Sequence, residues 1–206
     1  MVVIAIGRFC NERSLVIMST SDHSEFEFKI AVDELKPIRC ALRQVGATLL
    51  QPMARETNHL YDTEDGRIGT GGFLLRLRHH AEKNVITFKG PADFHGAIKQ
   101  RTEYETDVAN PEAMAEILDR LGFRVVLRYE KDREEWQMDG ISVVLDHTPM
   151  GDFVEVEGPP EKLVAAATTL GLDISDAARG SYVDLWQDYR TRHPELNLPR
   201  DMVFGV

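Results

Sequence analysis

From residue 24 to residue 157 the chain alternates apolar and polar positions in one short run after another. Successive side chains of an extended strand point to opposite faces, so a period of two marks a strand with one greasy face and one wet face. The runs that carry this period are EFEFKIAV, RETNHLYDT, FLLRLRHH, NVITFKG, QRTEYETDV, VVLRYEKDREEWQM, ISVVLD and DFVEVEG. Turn signals separate them: EDGRIGTGG, KN, KGPADFHGA, MDG and HTPMGD. About eight strands, mostly antiparallel, are therefore expected, and a sheet of that size tends to close or fold over.

Helical spacing interrupts the strands. The first helix starts with Asp33 as its cap and runs to about Gly46. Asn110 with Pro111 starts the second and Gly122 stops it; Pro160 opens the third, which ends at Gly171. A last helix, from about Ser181 to His193, reads as an amphipathic lid, with Tyr182, Leu185, Trp186 and Tyr189 at helical spacing. No Pro- or Ser-rich linker divides the chain. The expected architecture is α+β: a closed antiparallel eight-stranded β-barrel with helices packed outside, forming one domain over residues 24–193. Residues 1–23 are read as an extension, disordered or mis-started, with Met18 as an alternative start. Residues 194–206 are read as a loose tail.

Composition narrows the class. The 206 residues are 43% hydrophobic and 28% charged, which describes a soluble globular protein. A net charge of -10 argues against a general nucleic-acid binder, but a local cluster of bases can still hold a small anion. Cys10 and Cys40 lack metal-ligand spacing, which excludes a structural zinc site and agrees with a reducing cytoplasm. The apolar opening is too short to span a membrane.

The charged faces of the strands carry the chemistry. Glu25, Glu27 and Lys29 share one face of the first strand; Arg76 and Arg78 share one face of FLLRLRHH, and Lys89 lies on NVITFKG. Arg101, Glu103 and Glu105 align, as do Lys131 with Arg133 and Glu155 with Glu157; ISVVLD ends in Asp146. A charged face usually looks at solvent, leaving the apolar faces to fill a small barrel. The competing reading turns the charges into a wet lumen. The helices favour the lumen, because they need apolar sheet surface to bury their own stripes. Arg and Lys at fixed positions grip phosphate oxygens, and paired carboxylates hold a hard divalent cation, so acids and bases together suggest a metal-bound polyphosphate.

These residues resemble the CYTH superfamily, the triphosphate tunnel metalloenzymes that include class IV adenylyl cyclases, thiamine triphosphatase, and inorganic and RNA triphosphatases. The resemblance rests on ExExK (Glu25, Glu27, Lys29), LRLR (Arg76, Arg78), TFKG (Lys89), the ExE of Glu103 and Glu105, KxR (Lys131, Arg133), Asp146 and the ExE of Glu155 and Glu157, in that order over about residues 24–190. It implies a tunnel open at both ends, with triphosphate held by Lys29, Arg76, Arg78, Lys89, Lys131 and Arg133. It implies Mg²⁺ or Mn²⁺ ligands among Glu25, Glu27, Asp146, Glu155 and Glu157, with Glu103 and Glu105 supporting. Lys29 is either a catalytic base, its pKa lowered by crowding among cations, or a phosphate ligand only.

The expected function is metal-dependent hydrolysis of an inorganic or organic triphosphate, with inorganic triphosphate, thiamine triphosphate or ATP as candidate substrates. The alternatives are a class IV adenylyl cyclase, to which GDFVEVEG and SYVDLW are most similar, and a non-catalytic binder of polyphosphate or nucleotide. Relatives are often dimers, so a homodimer is a further implication. GTGG at 69–72 lacks the GK[ST] of a phosphate-binding loop, and His79 and His80, being adjacent in a strand, face opposite ways and do not share an ion. His59 and His147 are read as surface residues.

Overall fold

The computed structural model of the protein describes residues 23–205. The chain runs β1 (Ser24–Val32), α1 (Leu35–Gln44), β2 (Thr48–Thr63), α2 (Arg67–Thr70), β3 (Leu74–His80), β4 (Lys83–Lys89), β5 (Asp93–His95) and β6 (Ile98–Asp107). It continues through α3 (Pro111–Arg120), β7 (Phe123–Met138), β8 (Ile141–Thr148), β9 (Gly151–Glu157), α4 (Pro160–Thr169) and α5 (Tyr182–Arg192). Eight strands lie in the order β1-β9-β8-β7-β2-β3-β4-β6, and β6 returns to β1 through Glu25↔Arg101 and Glu27↔Lys99. The barrel is thereby closed, and every pairing in it is antiparallel. The short β5 adds a ninth strand beside β6.

Register decides which face looks inward. Lys29 lies opposite Glu155, and Arg133 opposite Asp146, so the charged faces of β1, β9, β8 and β7 are in line. The alternate residues Phe28, Ile30, Val143, Leu145, Val154 and Val156 point the other way. They are buried in one cluster with Ile38 and Leu42 of α1 and Leu163 of α4. The core thus sits outside the barrel wall, where the helices find their apolar partner. α3 covers a second outer patch, burying Tyr61, Leu77 and Val108 against Leu118. At one end of the barrel α5 packs Tyr182 and Trp186 on Leu60, Leu127 and Phe153. These three share the inward parity of Glu56, Lys131 and Glu155, so α5 lies across part of this end of the barrel.

Local sequence accounts for most boundaries. The Asn110 side chain accepts a hydrogen bond from the Ala113 amide and Pro111 follows it. Ser181 and Asp184 form a capping box at the start of α5. α1, α3 and α4 each run into a glycine, and Gly46, Gly122 and Gly171 take φ of +73°, +89° and +71°, a region side chains resist. Asp33 does not cap α1; Glu34 stands at the cap position and makes no side-chain cap bond.

Three further expectations are corrected. β2 begins at Thr48 rather than near Arg55, because register shifts between Leu49 and Ala54 break the alternation that would have marked it. Two loops contain short elements, α2 and β5, of four and three residues, too few to show a period. The C-terminal tail is not loose. Met202 is 1% exposed, its amide donates to the Arg128 carbonyl and its carbonyl accepts from the Glu130 amide. The expected extension lies almost wholly outside the described residues, as does Cys10; Cys40 is exposed on α1. Among the described residues no helix is long and apolar enough to cross a membrane.

Candidate active site

Inside the barrel a cavity of about 150 Å³ is lined by Glu25, Glu27 and Lys29 from β1, Arg76 and Arg78 from β3, Lys89 from β4, and Glu103 and Glu105 from β6. Lys131 and Arg133 of β7 and Glu155 and Glu157 of β9 continue its charged wall. All six expected phosphate-binding bases therefore converge, with four of the five expected metal carboxylates and both supporting acids. The fifth, Asp146, is not on the lining. It is fully buried, accepting hydrogen bonds from Lys131 Nζ at 3.0 Å, Arg133 Nε at 2.8 Å and the Tyr182 hydroxyl at 2.7 Å.

The charges form two groups. In the first, Lys89 bridges Glu25 at 2.7 Å and Glu103 at 3.0 Å, while Lys99 holds Glu27 at 2.6 Å. In the second, Lys29 pairs with Glu155 at 2.9 Å, and Arg133 joins Glu155 to Asp146. Lys29 and Lys131 lie 4.0 and 4.5 Å from the Tyr182 ring centroid, so α5 supplies an aromatic floor for both ammonium groups. Arg76 and Arg78 share Glu105, and Arg76 also donates to the Tyr129 hydroxyl at 3.1 Å.

Burial and neighbouring charge set the protonation. Burial works against the ammonium of Lys29, but Glu155 and Glu27 outweigh it and raise the pKa. The expected lowering of Lys29 is thus reversed, because its nearest neighbours are acids rather than cations. Burial and Glu155 push the Glu27 carboxyl up, yet Lys29, Lys99 and Lys89 hold it below its ordinary value. Glu103 is pushed up to about 8 by burial and by Glu25, against the pull of Lys89. Glu157 is raised to about 7 by burial, then by Glu25, Glu27 and Glu155, with Lys89 opposing; water at this exposed position screens part of that repulsion.

Several site residues escaped the sequence reading. Lys99 is on the same alternation as Arg101 and Glu103 but precedes the run as it was delimited. Glu56 alternates with Asn58 on β2 and is fully buried, 3.5 Å from Lys131 and 3.6 Å from Arg133. Tyr182 was legible as a lid residue, but helical spacing gives no hint that its hydroxyl meets Asp146. Arg101 lines the lumen, yet its guanidinium donates to the carbonyls of Gly90 at 2.6 Å and Gly72 at 3.2 Å, bracing two loops. His79 and His80 part as expected: His79 is exposed beside Asn84, and His80 is buried beside Glu135.

The acids suit a divalent cation in one specific sense. Burial first, and neighbouring carboxylates after it, raise Glu103 and Glu157, and a cation beside them would relieve the carboxylate share of that cost. Among the described residues no group of three acid, His or Cys side chains could hold a metal alone. A Mg²⁺-type ion commonly takes only one or two carboxylates, with water and phosphate oxygens as its remaining ligands.

A second cavity, of about 420 Å³, lies beside α5 and meets the lumen at Leu74, Lys99, Arg101 and Ser181. Its walls are largely apolar, with Leu60, Ile68, Phe73, Phe94, Val126 and Val183.

A family model described as the CYTH domain matches residues 23–179. Adenylate cyclase CyaB of Aeromonas hydrophila is 25% identical over 185 residues, covering 83% of this chain and 93% of that protein. A solved structure from Vibrio parahaemolyticus, provisionally described as an adenylate cyclase, superposes with a TM-score of 0.72 at 20% identity, over 79% of this chain and 97% of that one. A Hippeastrum protein with a provisional adenylyl cyclase name, described as having a dominant triphosphatase activity, superposes with a TM-score of 0.59 at 15% identity, covering 80% and 95%.

Proposed function

The chain belongs to the CYTH domain family, and on that premise we propose that it is a divalent-metal-dependent hydrolase of an organic triphosphate. The observation that carries the reading is the convergence of the six expected bases and six carboxylates on one small lumen. Its volume of about 150 Å³ is below the roughly 300–1,000 Å³ of cavities that enclose drug-sized organic ligands, so it suits a phosphate chain alone. The adjoining 420 Å³ cavity falls within that range and is apolar, which supports an organic group on the triphosphate.

Phosphoryl transfer depends on positioning and charge neutralisation more than on covalent chemistry. Lys29, Arg76, Arg78, Lys89, Lys131 and Arg133 would hold the phosphate oxygens, and Asp146, with no exposed surface, would position Lys131 and Arg133 rather than bind metal. Glu25, Glu27, Glu155 and Glu157 would hold Mg²⁺ or Mn²⁺, with Glu103 and Glu105 supporting. When bound, the metal offsets the charge that develops on the phosphate oxygens. Lys29, holding its proton tightly, serves as a phosphate ligand in this scheme. A water would attack the terminal phosphorus and release inorganic phosphate.

The apolar cavity also favours a second reading, a class IV adenylyl cyclase with a base pocket; in it a ribose hydroxyl attacks the α-phosphorus and pyrophosphate leaves. The purified chain with Mg²⁺ or Mn²⁺ and, separately, ATP, thiamine triphosphate and inorganic triphosphate decides between them. Phosphate release is the expected outcome. Cyclic AMP with equal pyrophosphate would establish the cyclase, and tight binding without product would leave a non-catalytic binder. Glu27→Gln is expected to reduce metal-dependent turnover on the order of 100-fold, the scale of losing one electrostatic stabiliser, with the far-UV spectrum unchanged. Near-normal turnover would remove Glu27 from the metal set.

A further inference from the structure

The lumen has two neighbours. β3 runs from Leu74, at the apolar cavity, to His80, at a third cavity of about 820 Å³ lined by Arg78, His80, Lys83, Glu105, Asp107 and Glu135. Arg78 and Glu105 belong to the lumen as well, so this third cavity is its polar vestibule. At about 3.3 Å per strand residue the two cavities stand about 20 Å apart along β3, at opposite ends of the phosphate site. An organic group lodged in the apolar cavity therefore directs the terminal phosphate toward Arg78 and the vestibule.

His80 is the buried feature of that vestibule. It lies on β3 two residues beyond Arg78, on the same inward face, and is 8% exposed. Its Nδ1 stands 3.1 Å from Glu135 Oε1. A carboxylate at Nδ1 holds the Nδ1–H tautomer and leaves the lone pair on Nε2. That Nε2 has no hydrogen-bond partner among the described residues, and neither do the buried atoms Glu56 Oε2, Asn58 Oδ1 and Arg76 Nε. All four belong to adjoining residues on β2 and β3, where Glu56 faces His80, Asn58 faces Arg78 and Leu60 faces Arg76. Buried polar groups without a protein partner usually serve water or ligand. The charged groups facing His80 are Glu56 on β2, Glu135 on β7, Arg78 on β3, Lys83 on β4, and Glu105 and Asp107 on β6.

We propose that His80, oriented by Glu135, accepts the proton of the water that attacks the terminal phosphate. This rests on the hydrolase reading. The water oxygen forms a bond to the terminal phosphorus and the bridging P–O bond breaks. Its electron pair leaves with the diphosphate product, and the water proton passes to His80 Nε2. Lys29 is a poor competitor for this role, since it is engaged by Glu155 at 2.9 Å and by the Tyr182 ring.

The test is steady-state hydrolysis of inorganic triphosphate and ATP by the full chain, with Mg²⁺, from about pH 5.5 to 9, for the wild type, His80→Gln and Glu135→Gln. A general base contributes roughly 10²–10⁴-fold. His80→Gln should lose kcat on that scale, keep KM within about threefold and lose the acid-side fall of the pH profile. Glu135→Gln should move that fall with a smaller loss of rate. Calorimetric binding of inorganic triphosphate to both variants should match the wild type, showing that the lumen is intact. A His80→Gln enzyme with kcat within about threefold and an unaltered acid limb overturns the proposal. If His80→Gln fails to fold, Glu135→Gln with an unshifted limb overturns it equally. A wild type that hydrolyses none of inorganic triphosphate, ATP and thiamine triphosphate sinks the hydrolase reading and this inference together, whereas an active wild type with indifferent variants sinks only the inference.

Discussion

Glu56 is surrounded by positive charge and has no exposed surface. Burial disfavours its charge, but Arg133, Lys131, Arg78 and Arg76 outweigh burial and hold the carboxyl far below the usual range. Breaking such a buried pair from one side costs about 3–5 kcal/mol, because the bases are left buried and underpaired. Glu56→Gln should therefore lower the unfolding free energy by about 3 kcal/mol in urea titrations near neutral pH. Tyr182→Phe removes only the hydroxyl that meets Asp146, a loss of about 1–2 kcal/mol, and keeps the ring under Lys29 and Lys131. Thermal melts should show a modest drop for Phe and a larger one for Tyr182→Leu. At this scale the sequence was most informative where charge recurs with a period of two. Alternation placed Glu25, Lys29, Arg76 and Glu155 on one face, but it cannot say whether an inward acid meets a cation or a base. Asp146, expected among the metal ligands, is found with Lys131 and Arg133 as its partners, and Glu56 carries no motif that would single it out.

The strands were legible because each carries its own periodic signal, and three helices because caps and glycines frame them. Elements shorter than a period, β5 and α2, left no such mark, and a bulge concealed the first half of β2. The tail was misjudged for a related reason. Its hold on the barrel consists of Met202, carbonyl contacts, and Phe204 beneath Arg55 at 4.1 Å, none of them periodic. That hold extends to α5, since Trp186 Nε1 donates to the Arg200 carbonyl and Arg190 to the Leu198 carbonyl. Asp184→Ala should break the capping box of α5 and lower stability by about 1 kcal/mol. Removing residues 200–206 should do more, exposing Trp186 and Leu127 and loosening Tyr182, which a fall in melting temperature together with increased tryptophan quenching would report.

Across the whole molecule the acids pull stability in opposite directions with pH. Glu27, Glu56 and Glu155 have depressed pKa values in the fold, despite burial, because bases surround them. Their contribution is complete above the unfolded value of about 4.5 and disappears as pH falls through their folded values. Glu103 is the reverse case. With a folded pKa of about 8 it keeps a proton that the unfolded chain releases, so it costs stability increasingly as pH rises from about 4.5 to 8. The metal-free protein should therefore be most stable on the mildly acidic side of neutrality. Glu103→Gln should raise the melting temperature at about pH 8.5, by the equivalent of about 1 kcal/mol after solvent screening, and leave it nearly unchanged at about pH 5. Melts in chelator at the two pH values check this.

The closing seam of the barrel bears on how the chain acquires its shape. β1 is made before every other described strand, yet its neighbours are β6 and β9, so Phe28 must await Val156 before one of its edges is satisfied. During synthesis the first strand emerges with both edges open and its charged face unmatched. Long-range pairings of this kind slow folding, and open strand edges invite association with other chains. Refolding on the millisecond-to-second scale is expected, and a nascent chain halted before β9 should depend on a chaperone that full-length chains no longer need.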